Sequence, residues 1–176
     1  MTTEQQKRRE FDVIIQGATG FTGTLVAEYL LRQYGTAGEL RWALAGRNEK
    51  KLREVRDGLG ASASKLELIV ADSFDKVALR ELALRTRVVL TTVGPYALYG
   101  SDLVDACVNA GTHYCDLAGE VHWIRKMIDT HQKRAKETGA KIVHCCGFDS
   151  VPMDIGVWFL QEAAQEKFGA YCRSIS

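Results

Sequence analysis

The chain has only two prolines, three methionines and five cysteines. No two of the cysteines (Cys107, Cys115, Cys145, Cys146, Cys172) form a C-x-x-C pair, and their number is odd. This excludes a disulfide framework or a zinc site as the organising device and predicts no metal. No apolar run reaches the roughly 18–20 residues of a membrane-spanning helix. Neither sign of charge is in excess, with 23 basic against 22 acidic side chains and a net charge of +1. A nucleic-acid or anionic-membrane partner therefore has no electrostatic footprint here. The opening stretch, residues 1–10, is polar and lacks the apolar centre of a secretory signal. It is expected to be a disordered lead-in, and the protein to be cytoplasmic.

Glycine, by contrast, is well supplied, and its placement is informative. The apolar run Val13-Ile-Ile15 leads into Gly17, Gly20 and Gly23, and a helical pattern with Leu25, Val26, Tyr29 and Leu30 on one face follows at once. A strand, a glycine turn and a helix in that order open a dinucleotide-binding fold. One glycine allows a tight turn, the next lets backbone N–H groups approach a diphosphate, and the third lets the helix sit close to the sheet. The spacing is G-x-x-G-x-x-G. Gly17, Thr19, Gly20, Phe21, Thr22 and Gly23 are the expected phosphate-side residues.

Strands and helices then alternate to the end. The second strand, Leu40 to Ala45, runs into Gly46-Arg47-Asn48. That is where such folds read the adenosine ribose. An acid there would bond the 2′-hydroxyl of NAD, whereas an arginine accommodates the 2′-phosphate of NADP. Arg47 predicts NADP, and Asn48 is in place to cap the helix over 49–59. The third strand, Leu66 to Val70, is followed by Asp72, which either lies near the adenine or caps the helix starting near Asp75. The fourth, Arg87 to Val93, ends in Gly94-Pro95-Tyr96. Val93, Gly94, Pro95 and Tyr96 are the expected wall of the nicotinamide side, and Tyr96 and Tyr99 are candidate hydroxyl donors there. A helix over 101–110 leads to a fifth strand, Thr112 to Cys115, with Asp116 and Glu120 beyond it. These two either face the substrate or cap helices. A long helix over 121–138 and a sixth strand, Ala140 to Cys146, precede a last helix from Val151 to about Ala164, capped by Ser150 or Asp149. The expectation is an α/β, Rossmann-like, doubly wound parallel sheet of six strands in the order 3-2-1-4-5-6, with helices on both faces. Every singled-out loop then lies on one edge.

Gly17-Ala-Thr-Gly-Phe-Thr-Gly23, Ala45-Gly-Arg-Asn48, Val93-Gly-Pro-Tyr96, Tyr114-Cys-Asp-Leu-Ala-Gly-Glu120 and Gly147-Phe-Asp-Ser-Val-Pro-Met-Asp154 occur in this order. Together they resemble the N-terminal domain of saccharopine dehydrogenase-like oxidoreductases, a group that includes trans-acting enoyl reductases. The resemblance covers about residues 11–160. It implies an NAD(P)-binding domain over 11–165 and hydride transfer between NADP(H) and a carbonyl, imine or enoyl group of a small or lipid-like substrate. Family members are longer, so residues 166–176 are expected to begin a second domain, through which a homodimer could form. No tyrosine has a lysine four residues on, as a short-chain dehydrogenase would, and no residue is singled out as the catalytic acid or base. A non-catalytic NADP(H)-sensing module is the other reading. A methyltransferase-like use of S-adenosylmethionine is disfavoured, since that ligand has no phosphate for the glycines and Arg47.

Overall fold

A computed structural model describes residues 9–175. Six parallel strands form one sheet in the order β3-β2-β1-β4-β5-β6, as expected. They are β1 Phe11–Gln16, β2 Trp42–Gly46, β3 Glu67–Val70, β4 Thr86–Thr91, β5 His113–Asp116 and β6 Ile142–Val143. The helices are α1 Phe21–Tyr34, α2 Glu49–Gly58, α3 Lys76–Arg85, the single turn α4 Tyr96–Tyr99, α5 Ser101–Ala110, α6 Val121–Thr138 and α7 Val151–Phe168.

Alternation along the strands builds two cores. Ile15 and Leu44 pack with Ala27 of α1 and Leu52 of α2. Ile14, Ala43 and Val89 face the other way, onto Leu79 of α3, Val104 and Val108 of α5 and Met127 of α6. The predicted inner face of α1 is shifted. Leu25 and Tyr29 are about half exposed, and the buried positions are Gly23 and Ala27. The reason is distance: the two small residues let α1 lie close to the sheet, and Val26 and Leu30 then pack from its flanks.

Several boundaries also move, β4 ending at Thr91 rather than Val93 among them. β6 is paired only at Ile142 and Val143, because Cys145 takes φ +62 and turns the chain out of the sheet. α7 runs on to Phe168, past the expected end near Ala164, and Ser150 stands at its N-cap without a side-chain bond. Of the expected lead-in, residues 1–8 lie outside the described residues, while Arg9 and Glu10 are packed. Arg9 donates to the carbonyls of Ala83 (2.9 Å) and Ala110 (2.7 Å). It thereby sets a cation at the C-terminal ends of α3 and α5, where helix dipoles favour one.

Glu10 is paired with Arg85, while Asp12 takes Arg41 Nε at 3.3 Å and Arg87 Nη1 at 3.2 Å. Burial alone would raise the Asp12 carboxyl, but hydrogen bonds from Arg41 and Arg87 together carry it below the usual range. Such a group stabilises the fold fully above its unfolded value of about 4 and loses that contribution as the pH falls through the lower folded value. The denaturation midpoint of the wild type should therefore exceed that of Asp12→Asn at about pH 6, and the gap should close towards about pH 3.

Candidate functional site

The glycine turn after β1 is fixed by contacts that only glycine permits. Gly17 has φ +89, and a Cβ on it would lie 2.6 Å from Val93 Cγ2. A Cβ on Gly23 would lie 2.1 Å from the carbonyl oxygen of Gly17, so α1 is seated directly on the turn. Gly17 and Ala18 donate to Ala45 of β2 (2.9 and 3.1 Å), and Gly20 donates back to Gly17 (3.0 Å). Gly20 is the N-cap of α1, and no side chain caps the helix. The first-turn N–H groups and the positive end of a 14-residue helix are thus left for something outside the chain.

A cavity of about 390 Å³ opens over this turn. Gly17, Thr19 and Gly20 line its base, Gly46, Arg47 and Asp72 one side, and Val93, Gly94 and Pro95 the other. Eight of the thirteen sequence-predicted residues are thereby brought to one place. The remaining five lie outside the lining. Phe21 is 84% exposed, and Thr22 beside it is exposed too; from these two only the N–H groups belong to the turn. Gly23 serves the close packing of α1. The Asn48 side chain is occupied as the cap of α2, accepting from Lys51 N at 3.0 Å. Tyr96 is buried and turned inward: its hydroxyl donates to the Thr91 carbonyl (3.2 Å) and accepts from Leu117 N (3.1 Å), leaving no free hydroxyl for a reacting group. Asp72 accepts from Phe74 N (2.9 Å), and Asp75, not Asp72, caps α3.

Gln16 and Phe74 were not singled out from the sequence. Gln16, at the end of β1, is buried and lines the cavity. Its Nε2 donates to the Ala71 carbonyl (3.0 Å), while its Oε1 is buried with no hydrogen-bond partner. A polar residue ending an otherwise apolar strand at the first glycine was the signal available. Phe74 meets Tyr99 edge-on across the mouth, with ring centroids 5.5 Å apart. An exposed aromatic in a loop gives no such signal.

Further along the same edge, Asp116 and Glu120 take different parts. Glu120 accepts from Tyr96 N (2.6 Å) and Ala97 N (2.8 Å), capping α4 from 24 residues away rather than the helix it precedes. Asp116 is buried at the end of β5. It accepts from the Tyr114 hydroxyl (2.9 Å), Ala118 N (3.0 Å) and Cys145 N (3.2 Å), and its Oδ2 lies 2.7 Å from His144 Nδ1. Burial, then the nearby Asp116 charge, hold the Tyr114 phenol far above the ordinary tyrosine value. Burial likewise pushes the Cys115 thiol up to about 12. His144 is the residue the sequence reading missed. A histidine in an apolar strand next to two cysteines carries no spacing cue to a carboxylate 28 residues earlier.

A doubly wound parallel sheet with a glycine turn, an uncapped helix N-terminus and an arginine at the end of β2 defines the class of dinucleotide-binding α/β domains. The family model described as the saccharopine dehydrogenase NADP-binding domain matches residues 13–143, and the chain belongs to that family. A Mycobacterium tuberculosis relative is 51% identical over 158 residues, covering 90% of this chain and 37% of the relative. A protein of Mycobacterium leprae named trans-acting enoyl reductase is 49% identical over 166 residues, covering 94% of this chain and 39% of its own. The chain therefore spans well under half the length of the curated relatives it matches. Among solved structures, apo saccharopine dehydrogenase (L-Glu forming) from Saccharomyces cerevisiae superposes with a TM-score of 0.68 at 15% identity, over 88% of this chain and 32% of that one. An NADPH-dependent quinone oxidoreductase from Escherichia coli, solved with NADPH, does so with a TM-score of 0.51 at 20% identity, over 75% and 47%. At these identities the two structures speak for the fold. Among the described residues no helix is long and apolar enough to cross a membrane.

Proposed function

We propose that this domain binds NADPH in the cavity over the glycine turn, and that the whole protein uses it to reduce an enoyl, carbonyl or imine group of a small or lipid-like substrate. The observation that carries the reading is the meeting, in one cavity, of Gly20, the uncapped N-terminus of α1, with Arg47. The N–H groups of Phe21 and Thr22, just past Gly20, suit a diphosphate. Thr19 would join them on the diphosphate side, Arg47 would pair the 2′-phosphate on the adenosine side, and Asp72 would border the adenine. Val93, Gly94 and Pro95 would flank the nicotinamide. The orphaned Gln16 Oε1 at the base fits a site completed by a bound donor. Bound NADPH would supply the hydride; the chain supplies placement and electrostatics. The name of the Mycobacterium leprae relative favours an enoyl group as the acceptor.

Arg47→Asp tests the polarity of the site. Losing a charge-assisted contact worth about 1.5–3 kcal/mol should weaken NADPH about 10- to 100-fold in a fluorescence titration, while NADH, whose 2′-hydroxyl an acid there can bond, should bind as well or better. An equal loss for both nucleotides would remove the assignment of Arg47.

An apolar partner surface lies on α7, where Trp158, Phe159 and Phe168 are each more than half exposed and only Ala164 is buried. The occupant we assign to this face is the part of the relatives' polypeptide outside the match, which also offers a route to a homodimer.

A further inference from the structure

We propose that Asp116 and His144 form a proton-delivery dyad, in which His144 Nε2 protonates the substrate and Asp116 positions the ring. The proposal rests on the reductase reading above.

Several observations lead there. The 2.7 Å contact from His144 Nδ1 to Asp116 Oδ2 is buried, with the His144 side chain 8% exposed and Asp116 fully enclosed. Asp116 is held in turn by Tyr114, Ala118 and Cys145, so its position is set by four separate groups. The imidazole is packed edge-on against Trp123 (5.1 Å) and Tyr114 (5.8 Å). Its Nδ1 is committed to the carboxylate, and Nε2 has no hydrogen-bond partner among the described residues. A ring fixed at one nitrogen and free at the other is the arrangement of a general acid or base.

The fold places this pair on the same edge of the sheet as the nucleotide cavity, whose lining includes neither residue. Thr91 pairs with Asp116 and Cys115 with Val143. His144 therefore follows β6 two strands away from Thr91, a lateral offset of about 10 Å at the usual strand spacing. The wall residues Val93 to Pro95 leave the same edge of β4. His144 and Cys145 also line a cavity of about 560 Å³ with Ser150, Asp154 and the apolar Val151, Met153, Ile155 and Val157. A trough with four apolar side chains and a histidine in its wall suits an acyl chain that presents its reactive end to the ring.

For an α,β-unsaturated thioester the step balances as follows. Bound NADPH would supply a hydride to the β-carbon, and the electron pair of the double bond would move to the α-carbon and thioester oxygen. His144, as the imidazolium, gives its Nε2 proton to the α-carbon. The ring is left neutral with Nδ1–H on Asp116, NADP is left oxidised, and solvent returns the proton to Nε2. The titratable groups around the ring are Asp116 and Tyr114 from β5, His131 and Lys136 from α6, Cys145 and Cys146 beside it, and Asp154 from α7.

The test compares wild type with His144→Asn in the complete native polypeptide. The asparagine amide nitrogen falls near the Nδ1 position, so the bond to Asp116 is kept while Nε2 is lost. With a short trans-2-enoyl thioester as probe, single-turnover NADPH oxidation by His144→Asn should be about 100-fold slower or more. Its NADPH affinity should stay unchanged, and the loss of rate towards high pH expected of the wild type should be absent. Independently of turnover, ring-nitrogen NMR of the wild type should show the neutral ring as the Nδ1–H tautomer, and Asp116→Asn should shift that balance. A His144→Asn rate within threefold of wild type with the same pH profile, or a neutral ring protonated at Nε2, would overturn the dyad and leave the reductase reading standing. No NADPH oxidation by the wild type with the thioester would overturn both.

Discussion

Gly23→Ala is expected to destabilise the domain by about 3 kcal/mol or more, and to weaken NADPH binding with it. Overpacking a core usually costs about 1–3 kcal/mol, because side chains shift to make room. Here the added methyl would meet backbone: the carbonyl oxygen of Gly17 at 2.1 Å, its carbon at 2.8 Å and Ala18 Cα at 2.9 Å. None of these is the end of a flexible side chain, so α1 must back away as a body. Its Ala27 is fully buried against the sheet, and retreat would open a gap there too. The same retreat draws the uncapped helix end out of the cavity, which couples the stability loss to nucleotide affinity. Urea unfolding and an NADPH titration read the two effects. Gly58→Ala is the control: nothing lies within 4 Å of the added carbon at the end of α2, and the change should be neutral or slightly stabilising. A Gly23→Ala protein as stable as wild type would mean that α1 does not sit on the turn.

Asp116→Ala should cost about 3–5 kcal/mol, the range found when one member of a buried, hydrogen-bonded charged group is removed. The substitution strands the Tyr114 hydroxyl, the Ala118 and Cys145 N–H groups and the His144 ring at once. Burial denies them water in exchange. Asp116→Asn should be milder, since its remaining oxygen can still accept from Ala118 and Cys145. The measurement is the denaturant midpoint at neutral pH with the slope of the transition unchanged. A loss below about 1 kcal/mol for Asp116→Ala would show that solvent reaches these groups.

The sheet order was legible because each strand is a short apolar run closed by glycine or a polar residue, and each connection carries a helix-period face. The cavity that gathers Gly17, Gly20 and Arg47 was legible for the same reason, since these residues lie at strand ends, where topology alone brings them together. What the sequence did not disclose depends on contacts between distant residues. Glu120 looks like the cap of α6 and instead caps α4. Tyr96 looks like a free hydroxyl in a loop and is instead a buried strut between β4 and the chain after β5. His144 gains its meaning only from Asp116 on the neighbouring strand. The inner face of α1 was misplaced because period counting favours large apolar residues, whereas the close approach to the sheet selected Gly23 and Ala27.

The Glu120 contacts bear on how fast a nucleotide can settle. The wall at Gly94 and Pro95 is followed directly by a turn whose first two amides are already held by a carboxylate from the far half of the chain. Tyr96, beneath that wall, is pinned at its hydroxyl and stacked on Trp123, with ring centroids 5.6 Å apart. A loop anchored in this way would give up little disorder on receiving the nicotinamide proposed for it, since its ordering is largely complete on folding. Capture of the nucleotide would then be a matter of encounter and fit rather than of waiting for a flap to fold down.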